Sequence, residues 1–319
     1  MVSAIGLGCW SFAGAYGPTD EKESHATLAQ ALDLGVDFLD TANAYGNGVS
    51  EQTIGTFIKH NPERFKIATK GGIHRPPGTT TRTFDNSPEH LREALEKSLR
   101  DLQVDCVELY YIHRRDPVRP IEDVMETLVR FKQEGKIKGI GFSEIAPSSL
   151  RRAHAVHPIT AVQSEYSLST RLPELGMIDA CRDMGVAFVP FSPLGRGLFA
   201  PQAPDAASFG KLDFRLNNPR FIAPSYAYNL AAVEPFKTFA ADKGVTSSAL
   251  AIAWVLHQGE HLIPIPGTRS AAHLADNAAA AALALSSDEL AEIGRILPRG
   301  FAHGDRYSEA QLAGAERYC

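Results

Sequence analysis

Residues 106–142 read CVELYYIHRRDPVRPIEDVMETLVRFKQEGKIKGIGF, and this stretch decides the fold class. It begins with an apolar run at 106–112 that has the length of a buried strand, and a second such run follows at 137–142. Between the two runs, apolar side chains recur at helical spacing, and Gly135 then suits a left-handed helix end. The members of this apolar face are Ile121, Val124, Leu128 and Phe131. A strand, a helix and a second strand in this order are typical of a parallel sheet with crossover helices.

The same alternation continues on both sides of this stretch. Candidate strands lie at residues 5–7, 36–39, 65–69, 106–112, 137–142, 159–166, 186–191 and 262–265. Eight strands that alternate with helices fit a closed (β/α)8 TIM barrel better than an open sheet with a second domain. No linker or change of composition divides the sequence, so we expect residues 1–319 to form one α/β domain.

Local signals predict where several helices begin. Ser87 is an N-cap candidate and Pro88 fits the first helical position, before an apolar face of leucines. The leucines of this face are Leu91, Leu95, Leu99 and Leu102. Residues 249–256 are apolar all round and predict a buried helix, in which Trp254 is a core residue. Residues 286–289 have capping-box spacing and begin an extra C-terminal helix outside the eightfold alternation.

Two irregular stretches, at residues 71–86 and 200–229, are longer than ordinary connections. They follow the third and seventh strands, so both should lie at the C-terminal face of the barrel. Active sites of such barrels lie at this face. We therefore expect these two loops, together with the tail at residues 298–319, to determine the substrate.

Composition narrows the possible partners and the location. The formal net charge is −5 and no basic stripe is present, which disfavours nucleic acid and anionic membranes as partners and leaves small molecules. The four cysteines have no CxxC or metal-ligand spacing, which favours free thiols in a reducing compartment. The first residues lack a basic, apolar signal segment, and no later run is long enough to span a bilayer. We expect a cytoplasmic protein, and the sequence leaves its oligomeric state open.

Polar residues at the C-terminal ends of three successive strands are the candidates for catalysis. They are Asp40 and Tyr45 after the second strand, Lys70 after the third and His113 after the fourth. A tyrosine is a weak acid near neutral pH, and a nearby ammonium group such as that of Lys70 would lower its pKa. Asp40 would orient the lysine, and a neutral His113 would donate a hydrogen bond to a substrate oxygen. Each residue alone has an ordinary structural interpretation, but their joint placement favours one acid–base site.

These segments resemble those of the aldo-keto reductase family, in the branch that includes potassium-channel β subunits and bacterial aldo-keto reductases. The resemblance rests on DTANAYG at 40–46, ATK at 68–70, YIHR at 111–114, GFSE at 141–144, VQ at 162–163, FSPLGRG at 191–197 and PGTR at 266–269. It extends over nearly the whole chain, in the order that the family uses. It implies NADPH-dependent reduction of aldehydes or ketones of small molecules to alcohols. It also implies that Tyr45 is the proton donor, that Lys70 and Asp40 tune it, and that His113 orients the carbonyl group.

The resemblance further implies a set of cofactor contacts. Ser143 and Gln163 would hold the nicotinamide carboxamide, Phe191 would face the ring, and Glu144 would be a further cofactor contact. The pyrophosphate would lie along Ser192, Pro193, Leu194, Gly195 and Gly197, where glycines permit close approach of backbone N–H groups. Cys9, Trp10 and Asp40 match positions near the cofactor. Gly267, Arg269, His273 and Asn277 match the adenosine 2′-phosphate end, with Arg215 as the alternative cation.

Two departures qualify the resemblance. Many relatives have asparagine at the position of Glu144, and many NADPH-specific relatives have a basic residue at the position of His273.

Three other interpretations compete with this one. The glycines of residues 6–8 and 139–141 suggest a Rossmann phosphate turn, but neither fragment has the third glycine of that fingerprint. Lys70 as a Schiff-base nucleophile would need a depressed pKa, which a neighbouring Asp40 opposes. A regulatory binding protein that retains a cofactor stays open, and turnover of nicotinamide with an aldehyde would distinguish it from an enzyme.

Overall fold

Parallel strands form the wall of a barrel in the computed structural model, which describes residues 1–61, 65–74, 82–211 and 213–318. The strands of the wall are β1 (Leu7–Gly8), β2 (Phe38–Asp40), β3 (Lys66–Gly71), β6 (Val107–Ile112), β7 (Ile137–Ser143), β8 (Ala161–Glu165) and β9 (Ala187–Phe191). They are hydrogen-bonded in this order, as adjacent parallel pairs. Each of these strands lies within two residues of its predicted bounds. A small antiparallel pair, β4 (Ile73–His74) and β5 (Thr83–Phe84), follows β3.

Residues 262–267 close the barrel as isolated bridges and not as the regular eighth strand that the sequence predicts. Their backbone hydrogen bonds are Ile263 N to Phe188 O (2.9 Å), Ile265 N to Pro190 O (3.0 Å), Gly6 N to Pro264 O (3.0 Å) and Gly8 N to Pro266 O (3.2 Å). Pro264 and Pro266 have no N–H group, so toward β1 this segment contributes carbonyl acceptors only. The two prolines therefore weaken the eighth ladder without preventing closure.

The inside of the barrel is filled by side chains that point inward from the strands. This core consists of Phe38, Ala68, Leu109, Tyr111, Ala161, Val189 and Ile265. Gly141 lies in β7 because a Cβ atom there would be 2.4 Å from the ring of Tyr111. A Cβ on Gly8 would likewise be 2.9 Å from the carbonyl oxygen of Ile265. Both glycine fragments that suggested a phosphate turn are therefore close-packed strand positions.

Helices surround the strands and bury their apolar faces against them. Their bounds are α1 (Glu21–Asp33), α2 (Val49–Ile58), α3 (Pro88–Leu102), α4 (Ile121–Gln133), α5 (Pro147–Val156), α6 (Met177–Asp183), α7 (Ser225–Asp242), α8 (Ser247–Leu256), α9 (Ala271–Ala279), α10 (Ser287–Ile296) and α11 (Glu309–Leu312). Short 3-10 turns occur at Trp10–Ala13, Tyr45–Gly48, Leu172–Leu175, Gly195–Gly197, Ala206–Ser208, Phe214–Asn217, Pro219–Phe221 and Ala280–Ala282. No helix within the described ranges has the length and apolar character that crossing a membrane requires.

The predicted helix starts are confirmed. The Ser87 hydroxyl accepts the His90 N–H at 3.3 Å, and all four leucines of the predicted face of α3 are buried. Gly135 has a φ of 76° directly after α4, as a left-handed helix end requires. Trp254 is buried in α8, and Ser286 forms the capping box of α10. These local signals therefore fix the helices that pack on the barrel.

The long loops differ in part from expectation. Residues 200–229 were predicted to be irregular throughout, but α7 begins at Ser225, directly after Pro224. The sequence around Asn229 has no clear apolar period. The side chain of Asn229 is nevertheless buried, and its amide nitrogen donates to the carbonyl oxygens of Arg220 and His303. The loop after β3, at residues 71–86, was also predicted to be irregular, but β4 and β5 pair within it through backbone contacts that the residue pattern does not reveal, and its residues 75–81 lie outside the described residues.

Candidate active site

The ends of β2 and β3 bring the predicted acid–base residues together. The Lys70 ammonium group lies 2.5 Å from Asp40 Oδ1, 2.6 Å from the Thr41 carbonyl oxygen and 3.4 Å from the Tyr45 hydroxyl. An ammonium group has three donors, and here each has an acceptor. Gln163 Nε2 donates to the other oxygen of Asp40 at 2.7 Å. These three acceptors favour the charged form of the lysine, and the Tyr45 oxygen accepts a bond while its own proton stays available.

Burial dominates the charge states of this pair. It raises the pKa of Asp40 and lowers that of Lys70, while the attraction between the two groups acts against both shifts. Lys70 is fully buried, so water does not solvate its ammonium group and the Asp40 carboxylate balances its charge instead. The net shift of the Lys70 pKa is downward, against the expectation that Asp40 would prevent it, but the bonds of the ammonium group to Asp40 and to the Thr41 carbonyl oxygen oppose the free, neutral amine that an aldolase would need.

The pKa of Tyr45 corrects one expectation. The neighbouring lysine was predicted to lower it, but burial and then the Asp40 carboxylate raise it well above 10.0. Arg114 is the group that acts most strongly in the lowering direction. The effects of burial and of the Asp40 carboxylate therefore outweigh any lowering of this pKa by the neighbouring ammonium group. Tyr45 therefore stays protonated at neutral pH, as a proton donor must.

His113 lies beside the tyrosine and is neutral at neutral pH. Its ring centroid is 5.8 Å from that of Tyr45, with the two planes at 79°. Burial, followed by the charges of Arg114 and Lys70, holds the pKa of His113 well below 6.5. Its Nδ1 atom is buried and has no partner among the described residues. A neutral imidazole with one N–H can donate to a substrate oxygen without carrying charge.

One cavity of about 1190 Å³ opens above these groups. Among its lining residues are most of those predicted from the sequence: Cys9, Trp10, Asp40, Tyr45, His113, Ser143, Gln163, Phe191, Ser192, Pro193, Leu194, Gly197, Arg215, Gly267, Arg269, His273 and Asn277. A pocket of this size exceeds the usual range for a drug-sized ligand. It can therefore hold a long cofactor and a small substrate together.

Three predicted residues do not line the cavity. Lys70 is fully buried behind two lining residues, Asp40 and Tyr45, to which its ammonium group is bonded. The Glu144 carboxylate is buried and is bound by the guanidinium group of Arg306 and, at 2.9 Å, by the backbone N–H of Glu165. A cofactor contact from the Glu144 side chain therefore has no support in this geometry. Gly195 is also recessed, since an added Cβ there would be 3.0 Å from the Phe199 ring.

The loop after β9 is a tight turn in which four residues have the left-handed backbone conformation. Ser192, Gly195, Arg196 and Gly197 all have positive φ, from 52° to 96°. The N–H groups of Gly195 and Gly197 are already bonded, to the carbonyl oxygens of Ser192 at 2.9 Å and Leu194 at 3.1 Å. The Arg196 side chain pairs with Glu165 at 2.7 Å. A phosphate contact from these two glycine N–H groups or from this guanidinium group therefore has no support in this geometry.

The two candidate cations for a 2′-phosphate differ in their surroundings. Arg215 is held by Asp213, with contacts of 2.9 and 2.7 Å from two of its nitrogens. Arg269 makes only a 3.4 Å ion pair with the partly exposed Glu23 and a 3.3 Å bond to the Tyr16 carbonyl. Arg269 is therefore the more available cation. His273 is exposed in the first turn of α9, beside it.

Several lining residues were not identified from the sequence. They include Tyr16, Arg82, Arg114, Arg196, Phe214, Tyr307 and Gln311. Arg114 directly follows His113 at the end of β6, so its position alone was a usable signal. Tyr307 and Gln311 come from the tail, whose path depends on long-range contacts such as that between Arg306 and Glu144. Trp10 stacks on Tyr45 with ring centroids 5.7 Å apart, which completes an aromatic wall.

Comparison with known proteins identifies the family. Residues 4–298 match the Aldo/keto reductase family, and the chain belongs to it. It is 37% identical over 311 residues to the Schizosaccharomyces pombe aldo-keto reductase yakc, whose name includes NADP(+), covering 96% of this chain and 92% of that protein. It is 40% identical over 313 residues to probable aldo-keto reductase 1 of Glycine max, covering 96% and 88%.

A solved structure supports the barrel assignment. The glycerol dehydrogenase of Gluconobacter oxydans superposes with a TM-score of 0.84 at 29% sequence identity, over 93% of this chain and 91% of that one. The predicted (β/α)8 fold is confirmed.

Proposed function

We propose that this protein is an NADPH-dependent reductase that converts aldehyde or ketone groups of small molecules to alcohols. The observation that carries the proposal is the hydrogen bonding of Lys70, which satisfies all three ammonium donors and leaves the Tyr45 proton free. A neutral His113 lies beside that proton at the wall of a large cavity. Family membership supports the same chemistry.

In the proposed reaction, the carbonyl oxygen accepts hydrogen bonds from the Tyr45 hydroxyl and the His113 imidazole. Bound NADPH supplies the hydride that adds to the carbonyl carbon. As negative charge develops on the oxygen, Tyr45 transfers its proton to it. The ammonium group of Lys70 then stabilises the phenolate that is left, and Asp40 keeps the lysine in place.

The donor set at the nicotinamide end fits a carboxamide. Gln163 Nε2 is used by Asp40, so its amide oxygen is left to accept a hydrogen bond. Ser143 Oγ accepts from Arg114 at 3.0 Å, so its hydroxyl hydrogen is left to donate. A carboxamide presents one donor and one acceptor group. Phe191 would cover the ring, with Cys9, Trp10 and the Asp40 carboxylate at its edge.

The remaining contacts follow the cavity toward α9. Ser192, Pro193, Leu194 and Gly197 would border the pyrophosphate. Gly267, Arg269, His273 and Asn277 would hold the phosphorylated ribose near the N-terminus of α9, where the helix dipole favours an anion. NADP(+) in the name of the Schizosaccharomyces pombe relative supports this choice of cofactor. A cytoplasmic location and one domain over residues 1–319 remain predictions from the sequence.

The test is NADPH oxidation by the purified protein with a panel of aldehydes, ketones and aldoses, repeated with NADH. We expect turnover with at least one carbonyl class and a preference for NADPH. Tight NADPH binding without turnover of any compound would contradict the proposal and favour a regulatory binding protein.

A further inference from the structure

Arg114 is a buried arginine that the proposed reaction does not use. It follows His113 at the end of β6, lines the cavity, and is 7% exposed. Its Nη1 atom donates to the His113 carbonyl oxygen at 2.6 Å and to Ser143 Oγ at 3.0 Å. Its Nε atom is buried and has no hydrogen-bond partner within the described ranges. The guanidinium group therefore has unused donors beside the carbonyl-binding residues.

This guanidinium group also lacks a counter-charge. Each of the other buried arginines in the described ranges has a carboxylate partner: Arg115 has Glu316, Arg196 has Glu165, and Arg306 has Glu144. None of the carboxylates that the structure describes forms an ion pair with Arg114. Burying a charge without a partner is unfavourable. An anion from outside the chain would supply the missing partner.

The position of Arg114 is fixed by the surrounding fold. The buried Asn86 side chain donates to the Arg114 carbonyl oxygen at 3.1 Å and accepts the Asp116 N–H at 2.8 Å. Gly72 packs against Asn86, because a Cβ at Gly72 would be 2.6 Å from its amide nitrogen. These contacts hold the Arg114 backbone, and the guanidinium group itself is held by the two Nη1 bonds to the His113 carbonyl oxygen and to Ser143. A guanidinium group that is positioned in advance loses little freedom when it binds an anion. These contacts are those of a built site and not of a mobile surface arginine.

Aromatic and basic groups lie close to Arg114. Tyr45 and Tyr307 are both close enough for its positive charge to act on their pKa values in the lowering direction. Arg82 lines the same cavity and, like Arg114, acts to lower the pKa of His113. Two cations thus lie near the imidazole, while the carboxylates that act most strongly on the same two tyrosines, Asp40 and Glu144, are paired with Lys70 and Arg306.

We infer that the carbonyl compound reduced by this protein carries an anionic group, a carboxylate or a phosphate, which the guanidinium group of Arg114 binds. The inference rests on the proposed function and adds a substrate class to it. A planar guanidinium binds two oxygens of one anionic group, and such bonds are stronger than neutral ones. The same residue would exclude substrates that bury an apolar group there.

Matched substrate pairs test the inference. Succinic semialdehyde and butanal have the same chain length and differ in the carboxylate, and glyceraldehyde 3-phosphate and glyceraldehyde differ in the phosphate. One charge-assisted hydrogen bond predicts a preference of about tenfold or more in kcat/KM for the anionic member of the fitting pair. Which pair shows the preference identifies the anion as carboxylate or phosphate.

Variants connect the preference to the residue. Arg114→Met should bring the ratio of anionic to neutral kcat/KM close to one, and Arg114→Lys should restore part of it. Arg152→Met is the matched control, because Arg152 is exposed, pairs with Glu122 and does not line the cavity. The control removes the same charge and should keep the wild-type ratio.

Each outcome separates this inference from the proposed function. Equal kcat/KM within both pairs, with turnover intact, overturns the inference and leaves the reductase. Weaker NADPH binding in Arg114→Met, with an unchanged substrate ratio, also overturns it and assigns Arg114 to the cofactor. Binding is measured independently, as protection of the wild type and of Arg114→Met against thermal unfolding by succinate or inorganic phosphate. If no aldehyde is reduced, protection of the wild type alone would support the anion-binding site at Arg114 and reject the proposed reductase activity. Protection of neither protein would then reject both the anion-binding site and the reductase activity.

Discussion

Replacing Lys70 by methionine removes the positive charge from a fully buried ion pair. Asp40 would keep only the hydrogen bond from Gln163, at 2.7 Å, as compensation for its charge. Breaking a buried pair by removing one partner costs about 3–5 kcal/mol of folding free energy. We expect Lys70→Met to lose this amount, measured by urea unfolding with linear extrapolation. Carbonyl reduction should fall as well, because the phenolate of Tyr45 loses its ammonium partner.

The pH dependence of this loss has a definite sign. Burial already raises the pKa of Asp40 in the folded protein, and removal of Lys70 raises it further. A carboxyl group with a raised pKa stabilises the fold below its unfolded pKa, about 3.9, and this contribution is lost as pH rises through the folded pKa. The stability deficit of Lys70→Met relative to the wild type should therefore shrink as pH is lowered toward 4.

A double variant provides the control. Asp40→Asn combined with Lys70→Met removes both charges and keeps an oxygen for Gln163, so it should recover most of the lost stability while it stays inactive. Two results would refute the reasoning. One is wild-type stability in the single variant, and the other is a double variant that is no more stable than the single one.

Three further predictions concern the cofactor, pH and the core. Arg269→Ala should lower the affinity for NADPH by about tenfold or more, because a charge-assisted hydrogen bond contributes about 1.5–3 kcal/mol, and should lower the affinity for NADH much less. Equal losses of affinity for the two cofactors in binding titrations would place the 2′-phosphate site elsewhere. Neither Tyr45 nor His113 should titrate between pH 6.5 and 10.0, because the pKa of Tyr45 is raised above this interval and that of His113 is lowered below it. Titration of these two residues should therefore cause no change of kcat in this pH range. A change of kcat within the range that disappears in His113→Gln would contradict this prediction. Trp254→Ala should cost about 3–5 kcal/mol in chemical denaturation, because the buried ring leaves a cavity beside Tyr166. Its kcat per folded molecule should be kept, since Trp254 does not line the active-site cavity, and loss of kcat without loss of stability would be the opposing result.

Much of the barrel could be predicted because its strands are buried on both sides. Such strands are nearly continuous apolar runs, as at 106–112, and their carboxyl ends necessarily share one face. This rule is why Asp40, Lys70 and His113 can be grouped from the sequence alone. Residues 262–265 were harder, because Pro264 and Pro266 allow bridging but not a regular ladder.

The features that were not predicted depend on three-dimensional context. The direction of the Tyr45 pKa shift follows from burial and from the Asp40 carboxylate, and the spacing of the residues reveals the size of neither effect. The burial of Glu144 requires Arg306, which lies 162 positions away along the chain. Likewise, Tyr307 enters the cavity only because the tail is held by such contacts.

The most direct test of the account is the kcat of Tyr45→Phe with NADPH and a carbonyl compound that the wild type reduces. Only the hydroxyl group is removed, so packing against Trp10 and NADPH affinity should be nearly unchanged. General acid catalysis contributes about 10²–10⁴-fold, and we predict a loss of that size. Tyr228→Phe, at an exposed tyrosine outside the active-site cavity, should keep wild-type activity as the control. Near-normal turnover of Tyr45→Phe would contradict the central claim that this hydroxyl group donates the proton.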